Sequence, residues 1–272
     1  MIKVFVDSGS SIKQYEKELY NVEILPLKIL LNGKEYSDGI DLSMDNFYDQ
    51  LINHKQFPKT SLPSLTFVEE EVKKAVKDGD DVIILTISSG ISGTYNAMNL
   101  LFEDKEKVHI IDSETACGGI KILVKEINKY KDLGIEVVLE KVKALIPRIR
   151  AYAVPETLAY LHKGGRLSAV GYTAGTLLRI KPVIKLQNKV SVAEKSIGIK
   201  RAMVGILKKL EMCDPNFPIV PSYTYKQDNL IELISKTDEV YKNAMIEFDN
   251  LDPAIAAHWG PNAFGYFFVV KE

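Results

Sequence analysis

The 272-residue sequence lacks paired cysteines and an excess of charge of either sign. Its two cysteines, Cys117 and Cys213, stand far apart, which excludes a disulfide scaffold and a CxxC metal or redox motif and is typical of a reducing compartment. Lys and Arg number 35 and Asp and Glu 36, so the net charge is −1. This balance argues against binding nucleic acid, or a membrane surface, through bulk charge.

Long apolar runs and a leader-like N-terminus are also missing. No run approaches the ~20 residues that a membrane-spanning helix needs. The first residues form a strand-like segment with no basic region before it. We therefore expect a soluble, cytoplasmic protein without an integral membrane segment, for which transient membrane contact stays open.

The short motifs of several enzyme classes are absent as well. There is no GK[ST] phosphate loop, no GxGxxG dinucleotide fingerprint and no HExxH zinc motif. The GxSxG nucleophile elbow is broken, because Thr94 stands where its second glycine should be. The sequence therefore predicts neither a resident cofactor nor a metal site.

What is present is ordinary globular composition, with 46% hydrophobic residues, in a chain long enough for about two domains. In the first half, short apolar runs without alternation predict buried parallel strands, and amphipathic segments between them predict helices. The predicted strands are Ile2–Val6, Val82–Ile87 and Val108–Ile111. The predicted helices are one opened by a Thr66-x-x-Glu69 capping box, Ser92–Phe102, Gly118–Tyr130 and Val137–Pro147.

The second half predicts a mixed sheet with helices. Val183–Leu186 and Val190–Ala193 form a predicted hairpin. Other predicted strands are Arg150–Val154, Ile219–Thr224, Ala244–Phe248 and Ala254–Ala257, and predicted helices are Pro155–His162, Ser168–Leu178 and Ile199–Met212. The expected fold class is α/β in two domains, residues 1–148 with a mainly parallel sheet and residues 149–272 with the mixed sheet.

The segment Ser88–Thr94 follows a strong strand and opens a predicted helix. Glycines let a ligand approach the backbone, hydroxyls donate hydrogen bonds, and the first turn of a helix has unpaired N–H groups. This combination predicts a site for a phosphate or a carboxylate. A serine-rich helix cap without a ligand is the alternative.

Five other segments are candidates for the same site, each with a purely structural alternative. Thr60–Ser64 is a hydroxyl-rich turn that could also be an ordinary segment preceding a helix, without a ligand. Gly164-Gly165-Arg166 could present a guanidinium to an anion, or could end a helix with Arg166 in a surface ion pair. His258 follows the predicted strand Ala254–Ala257 and precedes a Gly-Pro turn, where a histidine could contact a ligand, while the neighbouring Trp259 favours a packing role. Asp7-Ser8 and Asp112-Ser113 both end strands, where they could contact a ligand or cap loops.

Taken in order, these segments resemble the DegV family, whose bacterial members include the fatty-acid-binding subunit of fatty acid kinase. The resemblance extends along nearly the whole chain. Its pieces are Val6-Asp7-Ser8, Tyr36-Ser37-Asp38-Gly39, Thr60-Ser61-Leu62-Pro63-Ser64, Ser88–Tyr95, Ile111-Asp112-Ser113, Tyr160–Arg166, Ile180-Lys181-Pro182 and His258-Trp259-Gly260-Pro261.

The resemblance implies a non-catalytic protein that holds one long-chain fatty acid between two domains and presents it to a separate ATP-binding kinase subunit. It assigns the carboxylate to Thr60 and Ser92, with Ser61 and Gly93 beside them. It assigns Arg166 and His258 to the headgroup or to kinase contact.

The tail needs an apolar tunnel, for which Ile29, Leu31, Ile91, Leu177 and Leu178 are candidates. At ~0.8 kcal/mol per buried CH₂, about fifteen methylenes give an upper bound near 12 kcal/mol before the costs of association.

Two other functions stay open from the residues themselves. One is an esterase- or phosphatase-like enzyme acting on a small anionic substrate at Ser88–Thr94, with His258 as general base. In a hydrolase version, Ser92, His258 and Asp112 would supply a triad. The other is a ligand sensor linked to transcription, although no helix-turn-helix pattern supports direct DNA contact.

Overall fold

A computed structural model describes residues 1–167, 180–246 and 248–272. The strands are β1 (Ile2–Asp7), β2 (Glu23–Leu25), β3 (Lys28–Leu31), β4 (Lys34–Ser37), β5 (Lys59–Ser61), β6 (Asp81–Thr86), β7 (Val108–Asp112), β8 (Ile149–Val154), β9 (Ile180–Gln187), β10 (Lys189–Ile197), β11 (Val220–Tyr223), β12 (Asp249–Asn250) and β13 (Phe264–Val269). The α-helices are α1 (Lys17–Tyr20), α2 (Met44–Ile52), α3 (Leu65–Lys77), α4 (Thr94–Leu101), α5 (Gly118–Tyr130), α6 (Ile135–Leu145), α7 (Ala159–Lys163), α8 (Ile199–Leu210), α9 (Asp228–Ser235), α10 (Glu239–Lys242) and α11 (Pro253–Trp259).

The first sheet is parallel, in the order β2-β1-β6-β7. Its central strands are buried on both faces, because successive side chains point to opposite sides and each side meets a different core. Ile83 and Leu85 pack with α5 and α6, whereas Val82 and Ile84 pack with α3 and α4. The predicted strands and crossover helices of this half are confirmed.

The second sheet is mixed, in the order β10-β9-β8-β13-β11-β12, with β11 and β12 parallel and the other pairs antiparallel. The predicted hairpin is confirmed and is longer than expected, with Asn188 at its turn in the left-handed region. Strand β13 was missed, although it lies in the middle of the sheet between β8 and β11.

Of four further predictions, one is wrong, two are matched only in part, and one lies outside the described residues. Residues 254–257 lie in helix α11, because Asp252-Pro253 is a helix start and Gly260, at φ +72°, ends it. Around residues 244–248, Met245 makes a single bridge to Ile219, and residue 247 lies outside the described residues. The predicted helix over residues 168–178 also lies outside them. Helix α7 is shorter than predicted, beginning at Ala159.

A third, antiparallel sheet, β4-β3-β5, was not predicted. It matters because Thr60 and Ser61 lie on strand β5, paired with Ile29 and Lys28, and not in a loose turn. Helix α3 follows, and the residue that caps it is Ser64, whose hydroxyl accepts a hydrogen bond from Phe67 N. The predicted capping residue, Thr66, lies inside the helix.

The parallel sheet ends at residue 112 and the mixed sheet begins at residue 149. The α/β fold class is therefore confirmed, while the division at residues 148 and 149 stays a prediction. Helix α5 packs directly on the mixed sheet: a Cβ at Gly118 would lie 2.6 Å from Val220 Cβ and 2.9 Å from Phe267 Cδ2. Within the described ranges, no helix is both long and apolar enough to cross a membrane.

Candidate functional site

One cavity of about 310 Å³ brings together all the predicted site residues. It lies where β5, the loop between β6 and α4, α7 and α11 converge. Its polar lining consists of Thr60, Ser61, Ser92, Gly93, Arg166 and His258. Their roles toward a ligand stay predictions, but their convergence is a property of the fold.

The cavity changes character from one end to the other. At the polar end Ser61 and Gly93 are exposed to solvent, and Thr60 and Ser92 are half-buried. The remaining wall is formed by buried apolar residues, including Ala116, Cys117, Leu186, Ile255 and Phe267. The cavity can therefore take a molecule with a polar head and an apolar body.

Thr60 and His258 meet directly at the polar end. Thr60 Oγ1 lies 2.8 Å from His258 Nε2, although the two residues are 198 positions apart in the chain. If the neutral ring carries its proton on Nε2, Thr60 accepts that hydrogen bond and its own hydroxyl proton is free to donate into the cavity.

Burial keeps this histidine neutral. It lowers the pKa of His258 from 6.5 to about 3, and the nearby Arg166 charge lowers it further in the same direction. On the other side of the ring, Nδ1 is buried and has no hydrogen-bond partner among the residues that the structure describes. A Cβ at Gly164 would lie 2.3 Å from that nitrogen, so the glycine makes room for the imidazole.

Arg166 reaches the cavity from the turn after α7. Its Nε donates to Ile91 O at 3.0 Å, and its Nη1 donates to the carbonyl of Gly164. Both partners are neutral carbonyls, and in the part of the chain that the structure describes no carboxylate pairs with this guanidinium. Burial lowers the pKa of Arg166, which nevertheless stays charged. The cavity therefore contains an uncompensated positive charge.

The Ser88–Thr94 loop is built differently from the expected anion cradle. The amides of Ser89 and Gly90 donate to Asp112 Oδ1 and Ser88 Oγ, and those of Ile91 and Ser92 donate to Ser88 O. These N–H groups are therefore used within the protein. Ser92 lines the cavity, and its Oγ lies 2.9 Å from Thr94 Oγ1. The donors available to a ligand here are therefore the hydroxyl side chain of Ser92 and the backbone amide of Gly93.

The two strand-end Asp-Ser pairs act as structural caps. Asp7 accepts from Ile87 N and Gly9 N, and Asp112 accepts from Ser89 N and Glu114 N. The two carboxylates therefore hold the loop after β6 from both sides, because Asp7 ends β1 and Asp112 ends β7, the strands that flank β6. This agrees with the loop-cap alternative.

The triad of the hydrolase alternative is not assembled. Ser92 Oγ is bonded to Thr94, His258 Nε2 to Thr60, and Asp112 to backbone amides. The hydrolase interpretation therefore has no supporting contact. Among the residues with described positions, no group of three His, Cys, Asp or Glu side chains could hold a metal ion.

Asp38 has a role that the sequence analysis missed. Its carboxylate accepts from Ser8 Oγ at 2.7 Å and from Ala254 N at 3.1 Å. It therefore ties the first turn of α11, the helix that carries His258, to the end of β1. The only signal in the sequence was its place in the Tyr36–Gly39 motif.

The tail-lining prediction was partly right. Ile91 lines the cavity. Ile29 and Leu31 instead pack in a separate core with Phe47, and Leu177 and Leu178 lie outside the described residues. Cys117, Leu186, Trp259 and Phe267 were missed as lining residues, because no local pattern marks side chains from four separate segments as neighbours.

Known proteins are similar to this chain in sequence over nearly its whole length. The sequence matches the family model described as "Uncharacterised protein, DegV family" over residues 1–271. It is 30% identical over 276 residues to a DegV domain-containing protein of Clostridium acetobutylicum, covering 97% of each chain. It is 26% identical over 281 residues to Protein DegV of Bacillus subtilis, covering 99% of each.

Solved structures are similar over the full length. A DegV family protein from Thermus thermophilus, described for its fatty acid binding, superimposes with a TM-score of 0.86 at 26% identity, covering 99% of each chain. A stearic acid-binding protein from Eubacterium ventriosum superimposes with a TM-score of 0.85 at 26% identity, covering 100% of this chain and 99% of the other.

Proposed function

The chain belongs to the DegV family, and on that premise we propose that it binds one long-chain fatty acid non-covalently in the cavity described above. The carboxylate lies among Thr60, Ser92 and Arg166 at the half-open end. The acyl tail runs along the buried apolar wall. The fatty acids bound by the similar solved proteins support this assignment.

The observation that carries the proposal is the polarity of the cavity from end to end. Donors and one uncompensated guanidinium stand at its open end, and buried apolar side chains form the remainder. A small polar substrate would leave the apolar wall without a partner, and a fully apolar ligand would leave the donors unsatisfied. A long-chain carboxylate satisfies both ends.

The headgroup chemistry follows from the contacts. A carboxylate removed from water loses several kcal/mol of solvation unless charge-assisted hydrogen bonds replace it. The Thr60 hydroxyl can accept from the neutral His258 ring and donate to the carboxylate, while Ser92 supplies a second donor. Arg166 supplies the opposite charge, which the protein itself leaves unmatched.

The first experiment identifies and then removes the ligand. Protein purified, denatured and extracted should release a long-chain fatty acid by mass spectrometry, and delipidated protein should bind the same acid again. Thr60→Ala and Ser92→Ala should each weaken binding roughly tenfold or more, because each removes a hydrogen bond to a charged group.

Matched hydroxyl substitutions outside the cavity serve as controls. Thr66→Ala and Ser191→Ala, at exposed positions, should leave affinity unchanged. An extract without fatty acid, together with failure to load one, would contradict the proposal. Unchanged affinity in both cavity variants would contradict the assigned headgroup site.

We further propose that the bound acid is presented to a separate ATP-dependent kinase subunit. A carboxylate oxygen would form a bond to the γ-phosphorus of ATP while the bond from that phosphorus to the bridging oxygen breaks, giving acyl phosphate and ADP. The exposure of Ser61 and Gly93 at the headgroup end supports access for such a partner. Acyl phosphate formation with the partner subunit, and none with unloaded protein, is the expected result. ATP that stays intact with loaded protein would contradict it.

A further inference from the structure

A second, smaller void lies directly behind the buried end of the cavity. Its volume is about 20 Å³, and it shares three wall residues with the main cavity: Leu186, Trp259 and Phe267. Leu186 and Phe267 are side chains of the mixed sheet, and Trp259 is the last residue of α11. These three side chains, which we call the partition, separate the two spaces.

The register of the mixed sheet explains why there is space behind the partition. Side chains on one face recur every second residue, so cross-strand partners form rows. The row behind the partition contains Ile184, Ala153, Gly265 and Ser222. Three of these four residues are small, and the void is lined by all four. No side chain fits at Gly265, because a Cβ there would lie 2.2 Å from Tyr152 O on the neighbouring strand.

The neighbouring row has larger residues at the corresponding places. It contains Leu186, Ala151, Phe267 and Val220. The tail of a ligand that follows the apolar wall therefore reaches Leu186 and Phe267 first, and the small-residue row only after them. These two side chains and Trp259 line both the main cavity and the void, and so form the boundary between them.

We propose that the partition is the end stop that sets the longest acyl chain this protein accommodates, and that the void behind it is reserve space for a longer one. The inference rests on the proposed fatty-acid function. A methylene that finds apolar room gains roughly fourfold in affinity. One that meets a packed wall loses affinity, because the surrounding side chains must shift.

The test removes part of the partition. For a series of saturated fatty acids, affinity in the wild type should rise with chain length and then fall once the tail meets the partition. Leu186→Ala should move this maximum to a longer acid, and the affinity ratio of longer to shorter acid should rise roughly fourfold for each methylene accommodated.

A second substitution that fills the void distinguishes a moved end stop from a general loosening of the packing around Leu186→Ala. Valine at position 153 would place its extra methyl groups above Gly265, inside the void. Ala153→Val alone should leave the wild-type length preference unchanged, whereas the double variant Leu186→Ala with Ala153→Val should return the maximum toward the wild-type length. Leu210→Ala, a buried leucine of α8 that lines neither space, is the matched control and should shift nothing.

The outcomes distinguish the two proposals. If the wild type binds no fatty acid, the proposed function fails. If the wild type binds and Leu186→Ala keeps the same preferred length, the end stop is wrong. The same conclusion holds if Leu210→Ala shifts the preference as much, or if refilling at position 153 has no effect in the Leu186→Ala background. If Leu186→Ala does not fold, Trp259→Phe tests the same partition by the same measurement.

Discussion

Two polar clusters lie inside this molecule, and they treat charge in opposite ways. The headgroup end consists of Thr60, Ser92, Arg166 and His258. The other, which we call the ion cluster, consists of Lys13, Glu16, Lys121, Asp249 and Asp252. Both join the first half of the chain to α11 or to the strand before it.

In the ion cluster, each buried lysine is paired with at least one carboxylate of the protein. Lys13 Nζ lies 2.6 Å from Asp252 Oδ1, and Lys121 Nζ lies 3.0 Å from Asp249 Oδ1 and 3.5 Å from Glu16 Oε2. Burial raises the pKa of Asp249, and the two lysines oppose this shift. Such ion pairs hold segments of the chain together, and removing one partner leaves the other charge buried.

At the headgroup end the charge is left unmatched. Within the described residues, Arg166 donates to carbonyl oxygens alone, His258 is neutral, and Nδ1 of that ring has no hydrogen-bond partner. Uncompensated buried charge is costly to a folded protein unless something binds there. The contrast teaches that burial of polar groups alone does not identify a binding site, whereas an unpaired charge beside an open cavity indicates one.

The largest expected effect comes from breaking the ion cluster. Lys121→Met should lower the free energy of unfolding by about 3–5 kcal/mol, because Asp249 would stay buried without its partner. Urea denaturation measures this change. Lys129→Met, on the exposed side of the same helix, should have little effect, and Lys121→Met with Asp249→Asn should recover part of the loss. Equal stability of the Lys121 and Lys129 variants would remove the distinction between the two clusters.

The second largest effect is expected at the headgroup end, on the affinity for a fatty acid. Arg166→Met should weaken binding of a long-chain fatty acid roughly tenfold to a hundredfold, because the carboxylate loses its counter-charge. Binding of the alcohol with the same tail should change far less, and titration of both ligands measures the difference. Arg201→Met, at an exposed position, is the control. An equal loss for acid and alcohol would show that Arg166 acts only through packing.

The smallest expected effect is a pH dependence at His258. The unfolded chain takes up this proton near pH 6.5 and the folded protein only near 3, so stability falls as the pH drops below 6.5. The stability of the wild type relative to His258→Asn should therefore decline by about 1 kcal/mol between pH 6.5 and 5.5. Denaturation at several pH values measures it, with His54→Asn as the exposed control. A difference that is constant with pH would contradict the buried, neutral ring.

The sequence predicted the elements whose signals are local. Strands β1, β6 and β7 were found because uninterrupted apolar runs mark strands buried on both faces. Helix α11 was mistaken for a strand because its apolar run Ala254–Ala257 is short, although Asp252-Pro253 before it was a helix start. Strand β13 was missed, because the glycine at position 265 weakens the strand signal of the apolar run Phe264–Val269.

For the site, the residue types and their motifs were readable, but their geometry was not. Motif order pointed to Thr60, Ser92, Arg166 and His258, and the fold brings all of them to one cavity. The pairing of Thr60 with His258 depends on how β5 and α11 pack, and no local pattern describes that contact. The apolar wall of the cavity depends on tertiary packing even more, because it is formed by ordinary core residues such as Leu186 and Phe267.

By itself, the sequence determined the α/β class, most of the local elements and the chemical groups available at the headgroup. These follow from periodicity, caps and residue chemistry, which act over a few positions along the chain. Only the tertiary structure decided which hydroxyl meets the histidine, which cation stays unpaired and where the apolar cavity ends. Those features arise from contacts between distant segments, where sheet register and packing set the distances.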